Sequence, residues 1–194
     1  MKTFGIITNV TGATPNSLER GPDGVLYGAT ADGEGIVRGT VYRVQPDGTG
    51  FTVLKWFTNP LEGANPSGII VSGTTIYGTT SKGGSAGLGT VFKMNIDGTA
   101  FIVLKEFTGL AGDGVGPLRG LILSGDTLYG IANTGSFGGT IFSLKTDGRD
   151  YIILKKWEGS EGGAPGALLL ADWRSLRRDF SLLRGRRNHL SNEC

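Results

Sequence analysis

The sequence repeats itself at a spacing of about 50 residues. Segments 39–44, 89–94 and 139–144 share the pattern Gly-Thr-aliphatic-aromatic, and an Asp-Gly pair follows each of them. A Tyr-Gly pair precedes each Gly-Thr pattern, and another strand-like segment follows each Asp-Gly pair. A period of this length is typical of propellers and other arrays, in which each unit packs only on its neighbours.

Each repeat is predicted to contain four antiparallel strands, named a to d in chain order. β-Branched and aromatic residues dominate these segments, and Gly, Asp, Asn or Ser bounds them. The Asp-Gly pairs favour tight c–d hairpins because Gly accepts a positive φ. In the middle repeat the predicted strands are 67–72, 75–80, 89–94 and 101–107. Four such strands are the composition of one propeller blade.

Residues 1–172 are predicted to form one repeat domain with three full blades. The repeats cover about 21–66, 67–117 and 118–165, and partial units stand at both ends: a d strand at 4–10 and an a strand at 166–170. Because a closed propeller needs about four to eight blades, we expect an all-β partial propeller with unpaired edges. A β-trefoil, which also has three repeats of four strands, is the alternative. Unpaired edges predict a homo-oligomer, with twofold pairing of two copies.

The repeats resemble the glycine-rich tandem repeat called GloVer. The middle unit carries the resemblance through Tyr77-Gly78-Thr79-Thr80, Gly83-Gly84, Gly89-Thr90-Val91-Phe92-Lys93, Asp97-Gly98-Thr99 and Phe107-Thr108-Gly109. The resemblance covers residues 4–171 and implies a propeller-like β fold and a bacterial protein that is secreted or held at the cell surface. No signal peptide is recognisable at the start of this chain. The resemblance implies no known activity.

Three sets of side chains recur in every repeat, and each is predicted to be architectural. Lysines at 55, 105 and 155 replace a His that is typical of the family; they alternate with apolar neighbours and are expected on a solvated outer face. Tyrosines at 27, 77 and 129 are expected to pack in the core. Aspartates at 47, 97 and 147 repeat identically, whereas a single active site needs asymmetry.

Composition excludes several kinds of function for residues 1–172. The only His, His189, and the only Cys, Cys194, lie beyond them, which excludes Ser-His-Asp and Cys-His catalysis, disulfides and His- or Cys-based zinc sites there. The same residues are mildly acidic, which argues against a nucleic-acid partner. No apolar run is long enough to predict a membrane span.

The repeat pattern stops after Asp172, and residues 173–194 are predicted to be a basic tail produced by a frameshift. Pro15, Pro66 and Pro117 are each followed 11 or 12 residues later by a Tyr-Gly pair, but Pro165 is not. When the codons from Trp173 onward are read one nucleotide out of frame, permitted codon choices encode the missing Tyr-Gly pair and a glycine-rich loop. The alternative is a genuine basic helix with Trp173, Leu176, Phe180 and Leu183 on one face. The coding nucleotide sequence would decide between them.

Oxygen-bearing side chains are expected to gather at one end of the blades, where the b–c and d–a connections lie. We call this end the loop face. Candidate Ca²⁺ ligands there are Asp32, Glu34, Asn65, Asp113 and Glu161, because Ca²⁺ binds carboxylate and amide oxygens in loose geometry. The Asp-Gly and Asn-Pro pairs are also turn formers in their own right, and the spacing of a dedicated calcium loop is absent.

Two functions follow from these features. The first is a non-enzymatic repeat module that binds a protein, a glycan or a small molecule through the loop face, as expected for a chain with no asymmetric catalytic cluster. The alternative is a Ca²⁺-dependent propeller-type hydrolase, in which the metal polarises the carbonyl of a lactone or ester. Sensitivity to a chelator would separate them, and neither hypothesis identifies a catalytic residue.

Overall fold

The computed structural model describes residues 12–33, 35–118, 120–133 and 138–157. Three antiparallel sheets follow one another along the chain, and each is one blade. Blade 1 contains β1 (Ala13–Arg20), β2 (Leu26–Asp32), β3 (Thr40–Val44) and β4 (Thr52–Trp56). Blade 2 contains β5 (Ala64–Ser72), β6 (Thr75–Lys82), β7 (Thr90–Asn95) and β8 (Ile102–Glu106). Blade 3 contains β9 (Val115–Pro117), β10 (Ile122–Ser124), β11 (Thr127–Asn133), β12 (Gly139–Lys145) and β13 (Ile152–Trp157).

The prediction of an all-β propeller-like array is confirmed. The β-trefoil alternative is wrong, because each repeat closes its own sheet, whereas the strands of trefoil repeats pair with one another. The described helical structure consists of two 3₁₀ turns, Pro60–Glu62 and Leu110–Gly112. Within the described ranges, no helix has the length and apolar character needed to cross a membrane. The predicted edge strands at 4–10 and 166–170 and the predicted tail lie outside the described residues.

The a strand of blade 3 departs from the predicted pattern because it is interrupted. Two residues separate Pro66 from Ile69 in blade 2, but three separate Pro117 from the equivalent Leu121. The additional residue breaks the strand into β9 and β10, both of which pair with β11. The inner edge of blade 3 is therefore less regular than that of blade 2.

The hydrophobic core lies between successive blades rather than inside any one of them. The junction of blades 1 and 2 buries Tyr27, Val41, Phe57, Ile69, Ile76, Phe92 and Met94. The junction of blades 2 and 3 buries Val91, Phe107, Leu121, Leu128, Phe142 and Leu144. Along the inner strands, Asn16 Nδ2 donates to Pro66 O, and Ser67 Oγ donates to Pro117 O at 2.8 Å. Each blade is thus joined to the next by an apolar layer and an inner-edge hydrogen bond.

The repeated Tyr-Gly pairs are explained by packing within each blade. A Cβ added to Gly78 would lie 2.4 Å from Cζ of Phe92, its partner on the neighbouring strand. Only glycine therefore lets this ring lie against the backbone of β6. Of the tyrosines predicted to be in the core, Tyr27 is fully buried, whereas Tyr77 and Tyr129 are half-buried. Burial and a hydrogen bond to Asp23 raise the pKa of Tyr27 to about 12.

The c–d turns are architectural, as predicted. Asp97 Oδ1 accepts a hydrogen bond from the backbone N–H of Thr99 at 2.9 Å, and this turn recurs at Asp47 and Asp147. Gly98 and Gly148 both have φ of +92° and lie against the preceding blade. A Cβ at Gly98 would lie 2.8 Å from Leu54 O, and one at Gly148 would lie 3.1 Å from Leu104 O. The turns of blades 2 and 3 are therefore points of contact with the preceding blade.

A pair of buried threonines joins the b and c strands of the first two blades. The hydroxyls of Thr30 and Thr40 lie 2.9 Å apart, and so do those of Thr80 and Thr90. In blade 3 the corresponding pair is Ala132 and Thr140. Thr140 Oγ1 is buried and has no hydrogen-bond partner among the described residues. Leaving a buried hydroxyl unpaired destabilises the fold.

Replacing Ala132 with threonine should stabilise the protein by about 1 kcal/mol, because it would supply the missing partner of Thr140. Blade 2 already accommodates this arrangement, with Gly63 against the side chain of Thr80, and Gly114 holds the same place beside Ala132 in blade 3. Urea unfolding monitored by tryptophan fluorescence would measure the change. Ala132→Val is the matched control, since it has the size of threonine without the hydroxyl. Equal stability of the Thr and Val variants would contradict the hydrogen-bond explanation.

Every d strand contains a β-bulge at its leucine. In blade 1, Val41 pairs with Lys55 while Tyr42 pairs with Val53, which leaves Leu54 as the additional residue. The same shift occurs in blades 2 and 3. A bulge interrupts the alternation of side chains between the two faces of a sheet. The face on which the following lysine lies therefore cannot be found by counting along the strand.

Candidate functional site

The loop face is built from b–c and d–a connections that interlock. Gly84 N donates to Pro60 O at 2.8 Å, which joins the b–c loop of blade 2 to the d–a loop before it. Gly116 N, in β9, donates to Leu88 O at 2.7 Å and joins the same b–c loop to the a strand of blade 3. The b–c loop of blade 2 is consequently hydrogen-bonded to the connection before it and to the first strand of blade 3.

Two of the five predicted calcium ligands, Asp32 and Asn65, lie together on this face. Asn65 Nδ2 donates to Asp32 Oδ1 at 3.0 Å and to Ala31 O at 2.9 Å. Thr14 Oγ1 donates to the other carboxylate oxygen of Asp32 at 3.2 Å. Both oxygens of Asp32 are thus used to hold the a strands of blades 1 and 2 in place.

Asp113, the third predicted ligand, belongs to the connection between blades 2 and 3 and is held by different groups. Lys105 Nζ lies 2.8 Å from Asp113 Oδ2, and the Thr108 N–H and hydroxyl donate to the same oxygen at 3.1 Å. Burial alone would raise the pKa of the Asp113 carboxyl, but these donors outweigh it and hold the pKa below its ordinary value. The Lys105 ammonium thus pairs with Asp113 through Oδ2, whereas Oδ1 is buried and has no hydrogen-bond partner among the described residues.

The remaining predicted ligands, Glu34 and Glu161, lie outside the described residues. Within the described ranges, no group of three or more His, Cys, Asp or Glu side chains is placed to hold a metal ion. Calcium binding by the five predicted residues stays a prediction. Of the five residues, the fold brings Asp32 and Asn65 together.

Apolar side chains on the loop face were not anticipated from the sequence. The three most exposed large hydrophobic side chains of the described residues all lie there: Ile36 at 73%, Leu110 at 73% and Leu61 at 60%. Ile36 comes from the b–c loop of blade 1, and the two leucines come from the 3₁₀ turns of successive d–a connections. The available signal was a leucine in the same connection of two repeats. Contiguous apolar patches mark protein-binding surfaces, whereas single exposed apolar side chains occur on most protein surfaces.

Comparison with known proteins agrees with the fold. The sequence profile of the Gloeobacter/Verrucomicrobia repeat matches residues 1–176. This chain belongs to the Gloeobacter/Verrucomicrobia repeat family. The match includes all the blades of the described structure, which supports the resemblance found in the sequence. No curated protein sequence matches the chain.

Solved structures similar to this Gloeobacter/Verrucomicrobia repeat protein are β-propellers. A chain of a nidogen/laminin complex is 23% identical over 83% of this chain and 54% of its own length, with a TM-score of 0.60. A putative TolB from Agrobacterium tumefaciens is 15% identical over 84% of this chain and 54% of its own, with a TM-score of 0.53. The chain therefore spans about half the length of these structures. At such identities the likeness concerns the fold alone.

The lysines of the Gloeobacter/Verrucomicrobia repeats join neighbouring blades, and the prediction of a solvated outer face is wrong for two of them. The side chain of Lys55 is 18% exposed and that of Lys105 is 20% exposed. Each pairs with a carboxylate of the following connection, Glu62 or Asp113, and lies over an aromatic ring of the next blade at 4.2 or 4.7 Å. The bulge beside each lysine explains the error. A recurring acidic residue 7 or 8 positions later was the signal that the sequence offered.

Proposed function

We propose that this protein is a non-enzymatic repeat module that binds a partner protein through its loop face. The observation that supports this most directly is the position of the most exposed apolar side chains, Ile36, Leu61 and Leu110. Burying such side chains is the main source of favourable free energy in protein association. Aliphatic groups offer no hydrogen bonds to sugar hydroxyls, so a protein suits this face better than a glycan.

The described polar groups of the loop face support the same proposal. Asp32 is hydrogen-bonded to Thr14 and Asn65, Glu62 is paired with Lys55, and Asp113 is paired with Lys105. Glu106 accepts hydrogen bonds from the backbone and hydroxyl of Ser85, which lower its pKa. These carboxylates have structural roles, and the geometry gives the calcium-dependent hydrolase no specific support.

The proposal is tested by affinity capture with matched variants. We expect the wild-type chain, immobilised on beads, to retain a partner from an extract of the source cells, and Ile36→Ser/Leu61→Ser/Leu110→Ser to lose it. Ile102→Ser/Ile152→Ser is the control, because it removes two exposed isoleucines from the d strands. Thermal melting should show that both variants remain folded.

Treatment of the extract distinguishes the outcomes. Protease digestion should abolish capture if the partner is a protein. Capture that survives protease but not glycosidase would identify a glycan and overturn the proposal. Equal retention by the loop-face variant would also overturn it. Ester or lactone hydrolysis that EDTA abolishes and Ca²⁺ restores would instead support the hydrolase.

A further inference from the structure

The two ends of the blade array expose positions that are buried between blades elsewhere. Leu18, Ile69 and Leu121 occupy the same place in the a strands of blades 1, 2 and 3. Ile69 and Leu121 contact the preceding blade and are 1% and 4% exposed, whereas Leu18 is 57% exposed. Leu26 and Val44 are also half-buried, although their equivalents in blades 2 and 3 are fully buried. As far as the structure describes the chain, blade 1 thus presents an open apolar side, which we call the leading side.

Blade 3 presents the complementary side of the same junction. Leu54 and Leu104 pack against the core shared with the following blade. Leu154, at the same point of the bulged d strand, is 51% exposed. We call this surface the trailing side. At the two junctions within the chain, the following blade packs on the equivalent groups of the blade before it.

The Asp-Gly turns show the same difference in backbone detail. In blades 2 and 3 the turn glycine lies against the carbonyl of a leucine in the preceding blade. Gly48 has the same left-handed conformation, with φ of +84°, but a Cβ placed there would meet nothing within 4 Å. The turn of blade 1 therefore has the conformation of a blade contact, but no leucine strand of the described residues packs under it. Leu154 lies on such a strand.

We propose that the trailing side of one copy docks on the leading side of a second copy and repeats the junction seen twice within the chain. The leucine strand of blade 3 then packs under the Asp47-Gly48 turn of its partner, and Leu18 is covered as Ile69 is. The described blades of two copies joined at both ends make six blades of a ring, which is within the usual size of about four to eight. The contact is head-to-tail, and twofold closure satisfies both open sides.

A second copy is the occupant that fits best because the two open sides are the two halves of one existing interface. A ring of the three described blades alone would be smaller than the usual range, so these blades are not expected to close on themselves. The loop face and the two open sides involve different residues. Docking of two copies therefore does not depend on the proposed partner binding, and either can fail without the other.

The first experiment measures the mass of the full chain in solution by sedimentation equilibrium. We expect twice the monomer mass of 20.3 kDa. Leu18→Glu and Leu154→Glu should each weaken association more than about tenfold, because each would place a charge in an apolar contact. Ile102→Glu is the control, since it puts the same charge on an apolar residue of the blade 2 d strand that is 49% exposed and belongs to neither open side. Both positions are exposed within one chain, so the variants should remain folded.

The second experiment distinguishes head-to-tail docking from other dimers. In a dimer made only of Leu18→Glu chains, or only of Leu154→Glu chains, every junction contains one substituted leucine. An equimolar mixture can form one junction from an unaltered Leu154 and an unaltered Leu18. We expect the mixture to associate at concentrations at which each variant alone is monomeric.

Three results would overturn the proposal. A wild-type chain that stays monomeric would mean that the open sides are covered within the chain, for example by residues 158–172. A dimer that only Leu154→Glu disrupts would indicate pairing of two trailing sides. A mixture that remains monomeric would exclude the head-to-tail junction.

Discussion

Replacing Phe92 with alanine is expected to lower the free energy of unfolding by about 3–5 kcal/mol, as is usual for removing a fully buried phenylalanine. The ring is 0% exposed and lies 5.4 Å from the ring of Phe101 and 5.5 Å from that of Phe57 in blade 1. It also rests against Gly78, so the cavity would open both within blade 2 and at its junction with blade 1. The surrounding core relaxes only partly when a ring is removed. The loss of stability therefore includes the cost of the remaining cavity as well as the lost burial.

Urea unfolding at neutral pH would measure this loss. Ile102→Ala is the control, because its side chain is about half exposed and should cost far less. A loss below about 1 kcal/mol for Phe92→Ala would show that the junction of blades 1 and 2 is not part of the cooperative unfolding unit.

Replacing Lys105 with methionine is expected to cost about 2–3 kcal/mol at neutral pH, because it leaves the Asp113 carboxylate buried without its cation. Breaking fully buried pairs costs about 3–5 kcal/mol, and partial exposure of Lys105 reduces the figure here. Adding Asp113→Asn should recover part of the loss by removing the uncompensated charge. Lys145→Met is the control, since its pair with Asp126 is exposed and should contribute nothing measurable.

The pH dependence gives the same pair a second test. In the wild type the pKa of Asp113 lies below its ordinary value of 3.8, so the pair stabilises the fold above that value and loses its effect as the pH falls through the folded-state pKa. In Lys105→Met, burial is no longer opposed by the ammonium, and the pKa of Asp113 should rise. The difference in stability between the two proteins should therefore be largest at neutral pH and shrink on acidification. A difference that does not change with pH would indicate lost packing rather than an unpaired charge.

Much of the fold was predictable because the repeat places strong local signals at fixed intervals. Asp-Gly pairs at 97 and 147 specify hairpins through their own backbone preferences. Glycines at 78 and 130 mark strands that carry a cross-strand ring. Such signals depend on near neighbours in the chain and can be read without knowing the packing.

The features that were missed depend on contacts between repeats. The position of Lys55 could not be predicted without knowing of the bulge at Leu54. One added residue creates this bulge and leaves the composition of the strand unchanged. The break in the a strand of blade 3 depends on one additional residue before Leu121. The exposure of Ile36 and Leu61 depends on how neighbouring loops lie over one another. Candidate ligands could be proposed from their residue types, but their actual partners could not.

The packing of each blade on only its sequence neighbours has a consequence for how the molecule unfolds. Its stability is approximately a sum of the stabilities of the blades and of the junctions between them, as in other quasi-one-dimensional proteins. Among the described blades, blade 2 has a junction on both sides, whereas blades 1 and 3 each have one. In the monomer, local opening should therefore begin at the two outer blades and reach blade 2 last, so amide protons of β6 and β7 should exchange with solvent most slowly.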